Sequence, residues 1–222
     1  MRTFTKIPNE IGAIFAPNDV YTLTVMYLTA EYDEKHSCYV TDVTREQLAK
    51  YTGLSLGYIK DEFLPRLKDS KFCKIEPFIK RYDEKRNRYF LPESERNFRI
   101  INKRVIQKRD LKPKEKGFLI SLFTICENNS FNCGLNDKDI IELLKISRTS
   151  YDRYKKILIE KGYLIYLEDE NYFDHCNYSR CLEIKSNWIG STSGDELFLN
   201  TQGYAKASEF LLHKISRYEY AS

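Results

Sequence analysis

Cations are the residues of this chain whose type and spacing could do chemistry, and they fall into two sets. The first is Arg148, Thr149, Ser150, Tyr151 and Arg153, followed by Lys155 and Lys156, in a stretch of helical pattern. Arginine can hold a guanine edge through two hydrogen bonds, Thr and Ser can bond a base or a phosphate, and Lys neutralises phosphate. An earlier stretch of the same kind holds Ser55, Tyr58 and Lys60, diluted by Asp61 and Glu62. The second set is Arg81, Lys85, Arg86 and Arg88, which crowd a polar turn between two apolar segments. Lys103, Arg104, Lys108, Arg109, Lys112 and Lys114 follow it. Such groups could enter a minor groove or grip phosphates. The plain alternative is a solvated helix face, or a charged hairpin end that discourages edge pairing.

Charge is unevenly placed along the chain. The 222 residues carry 36 Lys/Arg and 32 Asp/Glu, a formal net charge of +4. Residues 71–116 hold 16 cations and 7 acids, net +9, whereas residues 1–70 are net −2 and residues 117–222 net −3. A basic block of this kind is the footprint of a polyanion-binding surface. Other chemistries find little support. There is no Gly-rich phosphate loop and no G-x-G-x-x-G. His175, Cys176 and Cys181 could offer three soft ligands to zinc, but no second pair at finger spacing accompanies them. Nothing in the spacing requires Cys126 or Cys133 to complete such a site. The three His (36, 175 and 213) are dispersed. The expectation is a protein that is not an enzyme and uses no metal or cofactor.

Composition sets the class. With 42% hydrophobic and 31% charged residues, 9 Gly and 6 Pro, the chain belongs with folded globular proteins. No apolar run approaches the ~18 residues of a membrane span, and the first six residues lack a secretory core. Six scattered Cys therefore read as reduced thiols in a cytoplasmic protein with no membrane partner.

The elements that must position the cations come in two copies. In the first, Asn18 or Asp19 caps a helix with Val20, Leu23, Thr24, Tyr27 and Leu28 on one face. Cys38-Tyr39-Val40-Thr41 alternates like a short strand. Thr44 and Gln47 form a capping box opening a second helix, and Gly53 suits its left-handed end. Ser55 caps a third helix to about Leu67, in which Pro65 predicts a kink or an early end. One strand follows through Phe72–Ile75 and Phe78–Lys80, the cationic turn occupies 81–88, and Tyr89-Phe90-Leu91 returns. In the second copy a helix spans 115–126, Asn132-Cys133-Gly134-Leu135 is the short strand, and Asn136 caps a helix with Ile140, Ile141, Leu143 and Leu144. The third helix spans 148–161, Gly162 stops it, and Tyr163–Leu167 is a strand whose partner is Cys181–Ile184 across a turn at 168–179. Ile100, Ile101, Val105 and Ile106 give the connector between copies a helical spacing. Gly190-Ser191-Thr192-Ser193-Gly194 reads as a flexible breaker before a helix over 205–218.

Three helices, a short strand and a basic-tipped hairpin define a winged helix, whose second and third helices are the helix-turn-helix. The expected fold class is mainly α with small β wings (α+β). It comprises two tandem winged-helix domains, over 1–95 and 115–188, joined by a basic helical connector over 96–114. The arrangement resembles the two-winged-helix plasmid replication initiators. The first domain is also similar to the N-terminal winged helix of replication initiator and primosomal proteins. There an extended lead containing Ile-Pro, here Phe4-Thr5-Lys6-Ile7-Pro8, precedes the first helix. The resemblance covers about residues 4–185 as a pattern. It implies sequence-specific binding to repeated double-stranded DNA sites near an origin, a homodimer formed through one winged helix, and contact with replication machinery. A transcriptional regulator working with the transcription machinery is the alternative. From another class, a winged helix serving as a protein-docking surface suits the acidic third helix of the first copy.

Overall fold

The computed structural model describes residues 1–80, 84–94, 97–126, 131–167, 181–184 and 190–192. Arg81, His175, Cys176 and the helix expected over 205–218 lie outside the described residues, as does the turn at 168–179.

Strand β1 (Phe4–Pro8) and the single turn α1 (Ile11–Ile14) lead into α2 (Pro17–Thr29). Asn18 and Asp19 do not cap α2. Pro17 stands at its first position, where a missing N–H costs nothing and φ is already helical, and Asn18 and Asp19 lie buried inside the first turn. Strands β2 (Glu31–Asp33) and β3 (Cys38–Thr41) form a small antiparallel pair. Helix α3 (Arg45–Thr52) begins with the expected capping box: the Gln47 N–H donates to Thr44 Oγ1 at 3.2 Å, and Thr44 N–H donates to Gln47 Oε1 at 2.9 Å. Gly53 closes α3 at φ 71°. Ser55 Oγ accepts from the Tyr58 N–H at 3.1 Å and starts the next helix. That helix runs as a π-helical segment (Tyr58–Phe63) and then as α4 (Leu64–Asp69). Pro65 has no N–H to give, and the widened turn ahead of it absorbs the loss where a kink or an early end was expected.

Strands β4 (Lys74–Lys80) and β5 (Glu84–Pro92) pair along seven residues. The ladder therefore takes in most of the stretch expected to be turn, and Lys85, Arg86 and Arg88 stand on a strand. Pro77 is tolerated because β4 is the edge of the sheet β2-β3-β5-β4.

The connector departs most from expectation. Residues 98–102 form β6 (Phe98–Asn102), antiparallel to β1, and only one helical turn follows, α5 (Arg104–Gln107). Ile100 and Ile101 are fully buried in this sheet. Then come α6 (Pro113–Thr124), β7 (Asn132–Cys133), α7 (Asp137–Leu143), α8 (Arg148–Glu160), β8 (Leu164–Leu167), β9 (Cys181–Ile184) and β10 (Gly190–Thr192). Asn136 and Ser147 cap α7 and α8 through their side-chain oxygens, and Gly162 sits at φ 71° past α8. Strands β7, β9 and β8 make the third sheet. Gly190–Thr192, read as part of a breaker, instead adds a strand to β6.

The protein is therefore mixed α/β, and the expectation of a mainly α chain with small wings is corrected. The described strands form three sheets, and one of them, β1-β6-β10, joins three distant parts of the chain. The basic helical connector is overturned for a related reason: a run that alternates with Arg99 among apolar residues found a strand partner in the N-terminal lead.

Helices α2 and α6 pack against each other, and one continuous apolar core runs from Ile7 to Ile184 through both copies. Their approach is close enough that Gly117 is required. A Cβ there would lie 1.7 Å from the carbonyl oxygen of Pro17. No helix of the described residues is long and apolar enough to cross a membrane.

Candidate nucleic-acid interface

Helix α8 sorts its residues into two stripes. Tyr151, Tyr154 and Leu158 are buried and, with Lys155, recur at the i, i+3, i+4, i+7 spacing of a core face. Thr149, Arg153 and Lys156 share the exposed stripe with Asp152, and Arg148 is exposed at the helix start. Ser150 is half-buried and engaged with the cap, where Ser147 Oγ accepts its N–H at 3.2 Å.

Two of the expected DNA-contacting residues on α8 are therefore corrected. Tyr151 is fully buried and donates its hydroxyl to Asp137 Oδ1 at 2.6 Å. Lys155 is 16% exposed, bonds the same carboxylate at 3.0 Å, and lies 4.3 Å over the Tyr166 ring. Burial works against the Asp137 charge, but the hydrogen bonds from Tyr151 and Lys155 outweigh it and hold the carboxyl below its usual range. Burial, followed by the Asp137 bond, raises the Tyr151 phenol. Asp137, which sequence reading missed, is thus the hub fixing α8 on the start of α7. The signal was available: Tyr151, Tyr154 and Leu158 already mark the inner face.

The exposed stripe is partly self-neutralised. Arg148 bonds Asp152 at 3.0 Å and approaches Asp137 at 3.7 Å, and Lys156 stands 3.9 Å from Glu160. Arg153 lies over Tyr154, 5.0 Å from the ring centroid. Arg153 and Thr149 are four residues apart, so their side chains are neighbours on one face.

The first copy places its residues differently. Ser55 and Lys60 are exposed, with Lys60 3.8 Å from Asp61. Tyr58 is turned inward, which corrects its expected place on the DNA side. Its hydroxyl donates to Asp19 Oδ1 at 2.5 Å, and Arg66 joins the same carboxylate at 2.9 and 3.0 Å. Asp19 is only 2% exposed, so this network seats the π segment and α4 on the first turn of α2. The Asp19 hydrogen bond raises the Arg66 guanidinium, while burial first and then Asp19 raise the Tyr58 phenol.

The hairpin gathers the more open cations. Lys85 and Arg88 are exposed on β5, and Arg86 is half-buried between them. The Arg88 guanidinium sits 4.6 Å over the Phe78 ring. An open groove of about 810 Å³ separates this hairpin from the start of α3. Arg45, Lys85 and Arg86 line it, against the acids Asp42 and Glu46.

Connector cations form a separate group. Arg104 and Arg109 are exposed, Lys103 and Lys108 half-buried. Lys108 lies 5.6 Å over the Tyr163 ring, and Tyr163 donates to Asp110 at 2.6 Å. These contacts tie the connector to the C-terminal end of α8, opposite Arg148. Two cations of the basic block are not on the surface at all. Arg99 is fully buried, donating to the carbonyls of Phe123 at 2.9 Å and Cys126 at 2.5 Å, and Lys116 is 6% exposed.

Among the described residues no group of three or more His, Cys, Asp or Glu could hold a metal ion. Of the trio considered for zinc, only Cys181 falls within them, on β9. No protein-family model matches the chain, and no curated protein or solved structure matches it either.

Proposed function

We propose that this chain binds double-stranded DNA without catalysing a reaction on it, in the manner of a replication initiator of a plasmid or mobile element. The observation that carries the binding reading is the β4–β5 hairpin, where Lys85, Arg86 and Arg88 follow one another within four residues beside Arg45. Closely spaced cations on an edge hairpin suit a duplex backbone, and each phosphate they neutralise releases counterions. Helix α8 adds Thr149, Arg153 and Lys156 on one exposed stripe, the side-chain types that read base edges and phosphates. The initiator role rests on the sequence resemblance; a transcriptional regulator would use the same surfaces.

Binding to a pool of random duplexes at two salt concentrations tests the reading. Wild-type protein should lose affinity steeply with salt. Lys85→Ala/Arg88→Ala should flatten that slope by about 0.9 per phosphate contact removed. Arg153→Ala should relax the sequences selected. Absence of binding at low salt refutes the proposal, and attention passes to protein docking on the exposed acids Asp61 and Glu62.

A further inference from the structure

The hairpin that carries the cations also carries an unexpected apolar side chain. Ile79 is 67% exposed, more than any other large hydrophobic residue described. It lies one residue from the end of β4 and pairs across the ladder with Lys85. Phe78 beside it pairs with Arg86. β4 is an edge strand, where an exposed branched aliphatic invites pairing with another chain and charges deter it. Here the charges are present and the isoleucine remains among them. Pro77, Phe78 and Ile79 line the 810 Å³ groove together with Arg45, Lys85 and Arg86, which outnumber the acids Asp42 and Glu46 in its lining.

A cationic ribbon with an apolar point has a known physical use against a duplex. An aliphatic side chain inserted between two base steps in the minor groove unstacks them and kinks the helix by roughly 20–90°, while flanking cations hold the phosphates. We infer that Ile79 is such a wedge: it enters the minor groove and bends the DNA, with Lys85, directly opposite it on the same face of the ladder, on the phosphate beside it. The inference rests on the duplex-binding reading and adds a deformation to it. Flexible pyrimidine–purine steps should then be preferred at the site of insertion, because they unstack most easily.

The experiment uses the full chain and 30-base-pair duplexes with a donor and an acceptor dye on opposite ends and one central TA step. Binding is followed by anisotropy and bending by energy transfer. Wild-type protein should shorten the end-to-end distance on binding. Ile79→Ala removes an exposed apolar side chain and no charge, so it should weaken binding without changing the salt slope, and at saturating protein it should leave the duplex straight. Ile79→Leu should restore the bend. Binding by wild type without shortening overturns the wedge and leaves duplex binding standing, as does equal bending by Ile79→Ala. Failure of wild type to bind at low salt overturns both.

Discussion

Lys116→Met should change the sign of its effect on stability between neutral and alkaline pH. Lys116 is 6% exposed, donates to the carbonyl of Ile106 at 2.8 Å and to the Tyr21 hydroxyl at 3.3 Å, and lies 5.2 Å over the Tyr21 ring. Among the described residues no carboxylate accepts from it; Asp110 acts only from a distance. Burial outweighs that attraction and lowers the ammonium from 10.5 to about 8. Below pH 8 both folded and unfolded chains carry the proton, so the full penalty of burying the charge is present. At ~1.4 kcal/mol per pKa unit, the fall from 10.5 to about 8 is worth about 3 kcal/mol. Between pH 8 and 10.5 the folded chain sheds the proton and the unfolded chain keeps it, so stability rises with pH. Met keeps the volume and removes the charge, but leaves the Ile106 carbonyl unsatisfied, at about 1–2 kcal/mol. The variant should therefore be about 1–2 kcal/mol more stable than wild type at pH 7, and less stable by a similar amount at pH 10.5. Urea denaturation of both proteins across this range measures the difference, in which titrations common to both cancel. A difference that stays flat from pH 7.5 to 10.5 would refute the claim that this lysine is held in the core as an ammonium.

Three further outcomes follow from the packing. Gly117→Ala forces α2 and α6 apart, because its Cβ would stand 1.7 Å from the Pro17 oxygen. It should cost about 3 kcal/mol or more in chemical denaturation, whereas Gly57→Ala, with no atom closer than 3.9 Å, should gain about 0.5–1 kcal/mol. Arg66→Ala leaves the buried Asp19 carboxylate with the Tyr58 hydroxyl but without its ion-pair partner and should lower stability by about 2 kcal/mol, and adding Asp19→Asn should recover part of the loss. Tyr151→Phe removes the bond to Asp137 and should cost about 1 kcal/mol of stability, with no change in duplex affinity measured by anisotropy.

What could be read from the sequence was local. Thr44 with Gln47, Ser55, Asn136 and the two glycines at φ 71° act within four residues of themselves, and the structure uses each where its type suggested. What failed was non-local. The run around Ile100 and Ile101 fits a helix until the Phe4–Pro8 strand, more than 90 residues away, supplies a ladder to pair with. Strand β10 depends on the same ladder, so its Gly-Ser-Thr composition pointed to a breaker. Within the candidate site the departures are of burial. Tyr151 and Lys155 were counted by residue type, though their spacing to Leu158 places them on the inner stripe. Arg99 and Lys116 entered the basic block by sequence position, and only burial removes them from the surface.

The remaining cations cannot all act as one patch, and this has a measurable consequence. Helix α8 has 13 residues, a length of roughly 20 Å at 1.5 Å per residue. Arg148 opens that helix. Lys108 packs on Tyr163 just beyond its other end, where Lys161 also bonds Glu115 at 3.2 Å. Groups so far apart lie beyond the ~10 Å over which exposed charges interact at 0.1 M salt. Arg148→Ala/Arg153→Ala and Lys108→Ala/Arg109→Ala should therefore weaken duplex binding independently. The free-energy losses should add within about 0.5 kcal/mol in the combined variant. Each pair should also lower the salt slope by its own amount. A combined loss well below that sum would mean that the two ends of α8 compete for one phosphate track, which this geometry forbids unless α6 and the connector separate from α8 on binding.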